Sequence, residues 1–252
     1  MMGDQERIHG TTQSARAVQT LREMIASGQL EADGRYTEVQ LADMLSMSRT
    51  PIRAALQRLT DEGALVLASA GGYTVRRFLP EEIYEAIEIR GTLEGLCVRL
   101  LAERGIDSGA LACLVEIADG IEAALLDEEF AAASIATYSR LNEQFHRTLV
   151  DACGSPLLEQ ELARASARPF ASASSLVGMH EPGKTALLHL WTGQDQHRAM
   201  IEAISARQGA RAEQIMREHA RLSQRNLARA VASRRPLGGL PGANLIRQTL
   251  EA

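Results

Sequence analysis

The 252-residue sequence has few aromatic residues, few cysteines and no long apolar run. Aromatic side chains make up only 4% of the residues, which argues against an aromatic platform for stacking nucleic-acid bases. The cysteines Cys97, Cys113 and Cys153 lack CxxC spacing, which argues against a disulfide scaffold or a thiolate zinc site. No apolar run approaches the roughly 18 residues of a membrane span, and the polar start is not typical of a signal peptide. We therefore expect a cytoplasmic globular protein with no membrane partner.

Lysine is nearly absent as well, because every basic residue except Lys184 is an arginine. The formal net charge is −5, but residues 1–78 hold nine arginines and nine acids, so the excess of acid lies in the remainder. A neutral segment with locally clustered arginines can still bind an anion, because local potential matters more than net charge.

Residues 11–60 are predicted to form three helices. A capping box of Thr37 and Gln40 opens the second helix, and Ser48 is the expected N-cap of the third. Two short apolar segments on either side of the glycine pair at 71–72 then predict a β-hairpin. Two helices joined by a tight turn and followed by a hairpin form a winged helix-turn-helix.

The third helix is predicted to expose a surface suited to DNA. Residues 48–60 include three arginines and no acid, and hydroxyl groups stand at the start of the helix. Arginine binds phosphates and pairs with guanine in the major groove. The alternative is a solvated helix that happens to lack acids.

The run LADMLSMSRTPIRAALQRLTDEGAL, followed by GGYTV, resembles the winged-helix domain of GntR-type bacterial transcription regulators. The resemblance covers about residues 13–78 and implies operator binding as a homodimer on a near-palindromic site. By position, it implies DNA contacts from Arg35, Ser48, Arg49, Thr50, Arg53 and Gly72.

The rest of the chain is predicted to be helical. Alanine and leucine dominate residues 80–232, glycine and proline separate the segments, and no second hairpin signal is present. The predicted helices cover residues 81–104, 108–126, 130–152, 155–175, 193–207 and 210–232. We therefore expect a mainly α protein, with a winged helix-turn-helix at 13–78 and an all-helical domain at 80–232. The resemblance to GntR-type regulators implies that this helical domain serves effector binding and dimerisation. Flexible ends are expected at 1–12 and 233–252.

Histidine spacing indicates a metal site within the helical domain. Asn142 and His146 share one helix face, and His197 and His219 lie at similar distances on either side of Gly209. In an antiparallel helix pair these two histidines reach nearly the same height. Neutral imidazoles suit zinc, nickel or manganese. The alternative is a set of separate core or surface histidines.

Arg90 stands among apolar residues of the first helix in this domain, where a guanidinium needs an anion. That anion is either a bound ligand or Glu94, its helix neighbour four residues on. The sequence leaves both open.

Three runs resemble the FCD effector domain of the FadR-like branch of the same family. They are EAIEIRGTLEGLCVRLLAER, LNEQFHRTLVDACGSPLL and QHRAMIEAISARQGARAEQIMREH. The resemblance implies a divalent metal, zinc before nickel or manganese, held by Asn142, His146, His197 and His219. It also implies that Arg90 holds the carboxylate of a small organic acid.

These patterns predict a regulator that binds operator DNA, responds to a small carboxylate and acts as a repressor rather than an enzyme. One alternative is a helical-bundle metalloenzyme, since Glu143 and His146 form half of a di-iron pattern. The second half is missing, because Gln194 and Met216 occupy the matching positions before His197 and His219. The other alternative is a DNA-binding protein with a purely structural metal.

Overall fold

The chain divides into two units in the computed structural model, which describes residues 2–177, 183–232 and 242–247, with side chains from residue 13. The first unit combines residues 2–80 with the segment 242–247, and the second lies within residues 81–232. The described residues are mainly helical with one small sheet, so the predicted fold class is confirmed.

The first unit contains the predicted helices and hairpin. Its elements are α1 (Met2–Ala26), β1 (Arg35–Tyr36), α2 (Glu38–Leu45), α3 (Arg49–Asp61), β2 (Leu65–Leu67) and β3 (Tyr73–Val75). The capping box of α2 is present: Gln40 N donates to Thr37 Oγ1 over 3.2 Å, and Thr37 N donates to Gln40 Oε1 over 2.8 Å. The strands form an antiparallel sheet in the order β1-β3-β2. Strand β1 was not predicted.

Helix α3 packs through the predicted apolar stripe and leaves its opposite face in solvent. Ile52, Ala55, Leu56 and Leu59 are each fully buried. The turn before α3 passes through Ser46, which has a left-handed backbone with φ 51°.

Both predicted flexible ends need correction. Helix α1 extends back to Met2, so residues within 1–12 belong to a helix. In the predicted flexible tail 233–252, residues 242–247 pack on the first unit, and Leu245 and Ile246 are each 3% exposed. Their burial is the physical reason for order in a segment that the nearby glycines and prolines made look unstructured.

Backbone hydrogen bonds hold this C-terminal segment in place. Gly242 N donates to Ala26 O over 2.6 Å at the end of α1. Phe78 N donates to Leu245 O over 2.7 Å, and Arg247 N donates to Phe78 O over 2.8 Å. Phe78 and Ile246 therefore form a short parallel bridge, just before the second unit begins.

The second unit contains α4 (Pro80–Arg104), α5 (Ser108–Leu125), α6 (Ala132–Cys153), α7 (Pro156–Ser166), α8 (Lys184–Ser205) and α9 (Gly209–Ala232). Its main core lies largely between α5, α6, α8 and α9. Two predicted bounds are wrong: α7 ends at Ser166 rather than near 175, and α8 begins at Lys184 rather than near 193.

Helices α4 and α9 approach closely at Gly91. A Cβ at this position would lie 2.4 Å from Ala220 Cβ, so only glycine permits the observed spacing. Ala220 follows His219 on α9, and Gly91 follows Arg90 on α4. The close approach therefore brings the charged residues of α4 near a predicted metal ligand.

Candidate metal centre and nucleic-acid interface

Three of the predicted metal ligands converge inside the second unit. The ligand atoms of His146 on α6, His197 on α8 and His219 on α9 all lie within 4.8 Å of one another. The three side chains are buried, and His197 is completely inaccessible. The Nε2 atoms of His146 and His219 are 3.2 Å apart.

A carboxylate orients the first of these rings. Glu94 Oε1 lies 2.8 Å from His146 Nδ1, and Glu94 Oε2 accepts a hydrogen bond from Arg90 over 2.5 Å. Burial alone would raise the pKa of Glu94, but Arg90 and then His146 outweigh it and hold that pKa at about 2. An ionised carboxylate only accepts hydrogen bonds, so the proton between these two residues belongs to His146 Nδ1.

An amide orients the second ring in the same way. Gln194 Nε2 donates to Ala118 O over 2.8 Å, which assigns Gln194 Oε1 as the acceptor facing His197 Nδ1 at 3.2 Å. His197 therefore carries its proton on Nδ1 and leaves a lone pair on Nε2. The third ring follows the pattern, since His219 Nδ1 lies 3.1 Å from Gln196 Oε1.

Two of the three rings, His197 and His219, are held neutral as well as oriented. Burial lowers the pKa of His197 well below its usual value, and His219 and His146 lower it further. Burial, followed by His146 and Arg90, does the same to the pKa of His219. Neutral imidazole is the form that binds a metal ion.

The positions of the histidine nitrogens fit the ligands of one divalent metal ion. His197 Nε2 is buried and has no hydrogen-bond partner among the described residues. When each ring carries its proton on Nδ1 alone, the Nε2 atoms of His146 and His219 present lone pairs to each other. Their 3.2 Å separation is close to the ~3.3 Å between two nitrogens bound to one tetrahedral zinc ion at ~2.05 Å. A metal ion shared by the two rings would satisfy both lone pairs.

The other predicted site residues occupy different places. Asn142 is one turn before His146 and 2% exposed; its Nδ2 donates to Ser174 Oγ and Ala173 O, which leaves its side-chain oxygen as the ligand-type atom. Arg90 forms the ion pair with Glu94, one of the two partners that the sequence left open, and is 1% exposed.

A small cavity of about 30 Å³ lies beside His219. The polar part of its lining consists of Tyr138, Asn142, His189, His219, Ser223 and Asn226. Arg90 is not among the described lining residues, so the cavity connects to the histidine cluster without touching the buried ion pair.

Sequence reasoning missed the residues that support the histidines. Glu94 was considered only as a partner of Arg90, and Gln194 only as a missing acid. Their spacing was informative, since Glu94 lies four residues after Arg90 and Gln194 three before His197. Spacing along the sequence gave no sign of a role for His189, but the continuous helix α8 places it in the cavity wall.

The predicted DNA-contacting residues of α3 lie together on its exposed start. Ser48, Arg49, Thr50 and Arg53 are all exposed. Arg49 Nε and Arg53 Nε each donate over 2.9 Å to a different oxygen of Glu38. Hydrogen bonding to Arg53 is the main reason that the pKa of Glu38 is lowered.

The two remaining predicted DNA contacts lie in the sheet of the first unit and in the hairpin turn between β2 and β3. Arg35 donates from Nε to Gly71 O over 2.6 Å and also to Ala70 O, so it braces the hairpin turn. Gly72 has φ 83°, and a Cβ there would lie 2.8 Å from Tyr36 O. A structural requirement therefore accounts for both residues, whatever they contact in addition. Across the part of the chain that the structure describes, no helix has the length and apolarity to cross a membrane.

Family models match both units. The model described as bacterial regulatory proteins, gntR family, matches residues 13–75, and the FCD domain model matches residues 85–222. The second match alone covers more than half of the chain.

Curated relatives and solved structures agree with these matches. The Nta operon transcriptional regulator of Aminobacter aminovorans is 36% identical over 116 residues, which cover 46% of this chain and 52% of the relative. The chain thus spans about half the length of that relative. The HTH-type transcriptional repressor GlaR of Escherichia coli is 24% identical over 201 residues, covering 79% of this chain and 88% of the repressor.

The structure of E. coli McbR/YncC has the same fold, with a TM-score of 0.63 at 21% identity, covering 88% of this chain and 99% of that one. The relatives are transcription regulators, which confirms the prediction that this protein is not an enzyme. The chain belongs to the GntR family of bacterial regulatory proteins and combines its helix-turn-helix domain with an FCD domain.

Proposed function

We propose that the protein is a homodimeric, operator-binding repressor whose DNA affinity responds to a small carboxylate bound at a metal ion. The metal is proposed to be zinc, held by His146, His197, His219 and the side-chain oxygen of Asn142. The observation that carries this proposal is the convergence of three buried imidazoles with their Nδ1 atoms already facing acceptor oxygens.

The Nδ1 bonds support a metal site rather than a chance cluster. At metal centres, an acceptor bonded to the ring nitrogen that does not bind the metal fixes the ring orientation and raises the basicity of the ligand. Glu94 has this position for His146, while Gln194 and Gln196 have it for the other two rings. A bound zinc ion would supply a Lewis-acidic position to a carboxylate oxygen. Nickel and manganese remain candidates because imidazole also suits them.

The cavity beside His219 supports a small-molecule effector. Its polar lining lies next to the proposed metal ligands and offers hydrogen bonds to a bound molecule. A ligand there alters DNA affinity only if it binds two arrangements of the protein with different affinity. Arg90 was expected to hold the carboxylate directly, but its ion pair favours an indirect contribution through Glu94 and His146.

The exposed arginines of α3 support recognition of DNA. Arg49 and Arg53 are each more than 60% exposed, so exchanging Glu38 for phosphate or guanine costs little desolvation. A palindromic operator would need two such helices, which supports a homodimer. Ser48, Thr50, Arg35 and Gly72 are proposed as further DNA contacts.

The DNA-binding part is tested with duplexes selected from a random-sequence pool by the wild-type protein. We expect Arg53→Ala to weaken binding of the selected duplex by about 5- to 100-fold, the effect of losing a base-contacting side chain. The control is Arg164→Ala, which removes a similarly exposed arginine from α7 in the second unit. Equal affinity of the two variants would show that α3 is not the recognition helix, and sedimentation of the complex gives its number of chains.

The sensing part is tested by removing and restoring zinc. After chelation, we expect one zinc ion per chain to rebind and to raise the unfolding temperature, with both effects absent in His197→Ala and retained in His9→Ala. An organic acid that raises the temperature further only in the zinc form, and changes affinity for the selected duplex, supports sensing. Zinc binding without any acid response would favour a structural metal instead.

A further inference from the structure

The segment that follows α7 is bonded to α6 beside a proposed metal ligand. Asn142 Nδ2 donates to Ala173 O over 3.3 Å and to Ser174 Oγ over 3.0 Å. Ser174 Oγ in turn donates to Ser139 O over 2.8 Å, about one turn earlier on α6. We call residues 167–177, which include both acceptors, the strap. The strap and α6 therefore meet at the side chain of Asn142.

These bonds determine which way the amide of Asn142 faces. The single proton of the Ser174 hydroxyl is used on Ser139 O, so this hydroxyl can only accept a hydrogen bond from Asn142. Ala173 O is a carbonyl oxygen and also only accepts. Both partners therefore require Nδ2 on the side of the strap, which leaves Oδ1 for the proposed metal ion. A flipped amide would place an oxygen against two acceptors.

The strap has a backbone conformation that its surroundings must maintain. Phe170 has a left-handed backbone with φ 64°, which is unfavourable for a residue other than glycine. Phe170 is buried all the same, as are Ala171 and Leu176. The Ser175 hydroxyl lies 2.6 Å from Phe170 O and closes the turn. Because such a conformation persists only while its contacts hold it, losing the bonds to α6 should make the strap open more often.

The strap also forms part of the cavity wall. Ala173 and Val177 line the same small cavity as Asn142 and His219. Ala173 thus borders the cavity and also accepts a hydrogen bond from the proposed ligand Asn142. Opening of the strap would therefore change the surroundings of the metal site.

We propose that Ser174 is a positioning residue for the metal site, and that closure of the strap and metal binding strengthen each other through Asn142. The inference rests on the proposed function, which makes Asn142 Oδ1 a metal ligand. It adds the residue that orients this ligand and a segment whose order depends on the metal. Partners of a ligand side chain commonly tune metal affinity. Because the coupling is reciprocal, the closed strap tightens metal binding by the same factor as the metal favours closure.

The alternative is that Ser174 only holds the strap on α6. Its loss would then loosen the strap to the same extent with and without metal, and any effect on metal affinity would not depend on Asn142. A double-mutant cycle separates the two cases, because residues that act through one another have non-additive effects.

Zinc affinity of the full-length protein, measured by competition with a chelating dye, tests the role of Ser174. We expect Ser174→Ala to weaken zinc binding about three- to tenfold, the effect of losing one hydrogen bond. Ser174→Thr keeps the hydroxyl and should retain the affinity. Ser172→Ala is the matched control, since the carbonyl oxygen of Ser172, rather than its hydroxyl, accepts hydrogen bonds within the strap. In an Asn142→Ala background, which keeps the three histidines, Ser174→Ala should have no further effect.

Hydrogen–deuterium exchange tests closure of the strap in the wild-type protein, so this test does not depend on the folding of a variant. The amides of Ala171, Ser175 and Val177 donate hydrogen bonds within the strap and report its opening. We expect zinc to slow their exchange about three- to tenfold, by the reciprocity of the coupling. Glu129 and Ala131, whose amides donate hydrogen bonds in the loop between α5 and α6, are the control and should exchange equally with and without zinc.

The outcomes separate the two proposals. If the wild-type protein binds no zinc, both are overturned. If zinc binds but Asn142→Ala binds it as tightly as the wild type, the coupling is overturned and a site of three histidines remains. If Asn142 contributes but Ser174→Ala keeps full affinity, or weakens zinc binding equally in both backgrounds, the coupling is overturned while the metal site stands. Exchange of the strap that zinc does not slow would have the same meaning.

Discussion

Each unit contains a glutamate bonded to arginine, but the two surroundings are opposite. In the first unit, Glu38 holds Arg49 and Arg53 on the exposed start of α3, where both arginines are more than 60% exposed. In the second unit, Arg90 and Glu94 are 1% and 6% exposed. Similar ion pairs therefore differ in how easily their partners can be replaced.

The difference teaches what each pair can do. Water solvates the exposed arginines as soon as Glu38 is displaced, so they can exchange a carboxylate for a phosphate. Arg90 cannot exchange its carboxylate partner in this way, because a buried charge without a partner lowers the free energy of unfolding by several kcal/mol. The first arrangement suits reversible binding, whereas the second suits a permanent orientation of His146.

The largest effect on the free energy of unfolding is expected from Glu94→Gln. This change leaves Arg90 charged and buried without its carboxylate, so the free energy of unfolding of the second unit should fall by about 3–5 kcal/mol. Urea unfolding followed by Trp191, the single tryptophan, measures it because this residue packs against the core of that unit. Glu103→Gln is the control, since its exposed ion pair with Arg99 should contribute about 0–1 kcal/mol. Equal losses in the two variants would remove the distinction between buried and exposed pairs.

A double variant sharpens the same point. Arg90→Met combined with Glu94→Gln removes the unpaired charge, so we expect it to recover about 1–3 kcal/mol relative to Glu94→Gln alone. Affinity for zinc should nevertheless stay about tenfold lower than in the wild type, because His146 has lost its carboxylate. Urea unfolding and zinc titration check the two parts separately. Recovery of both would mean that Glu94 does not tune the metal site.

Gly91→Ala tests the close spacing of α4 and α9 without changing any charge. The new Cβ would clash with Ala220, costing about 1–3 kcal/mol before the better helix propensity of alanine returns up to ~1 kcal/mol. We expect a net loss of up to about 2 kcal/mol by urea unfolding. Gly120→Ala is the control, because its Cβ would meet only the end of the Leu141 side chain at 3.2 Å. A larger loss in the control would argue against tight packing of α4 on α9.

The smallest effect on stability is expected from Glu38→Gln. The unfolding temperature of the first unit should not change measurably, because the ion pairs are exposed. Affinity for a selected duplex should rise a few-fold, since Arg49 and Arg53 lose a competing anion. Anisotropy titrations at low and high salt check this, with the gain shrinking as salt screens the charges. Weaker binding would instead indicate that Glu38 holds the arginines in the DNA-binding geometry.

Local patterns in the sequence predicted the elements that depend on near neighbours. The capping box at Thr37 and the buried stripe of α3 follow from spacing alone. The start of α8 could not be predicted that way, because Gly193 looks like a helix boundary. The structure explains this glycine by a neighbour distant in sequence: a Cβ there would lie 2.5 Å from the hydroxyl oxygen of Tyr138.

In the candidate site, too, spacing along the sequence predicted some features and not others. Helical register was enough to bring His146, His197 and His219 together, since it needed only an antiparallel pair and one more helix. The acceptors Gln194 and Gln196 were not predicted as support, because side-chain orientation depends on packing that spacing does not specify. The two-residue strand β1 was missed for a related reason, since it exists only by pairing with β3.

The C-terminal segment has a consequence for biosynthesis. Residues 242–247 complete the first unit by bonding to Phe78 and Ala26, yet the ribosome adds them after every residue of the helical unit. Domains made early in synthesis generally fold first. Here the first unit reaches its full set of contacts only after the residues of the second unit have been synthesised. A nascent chain would therefore lack part of its first unit until residues 242–247 emerge from the ribosome.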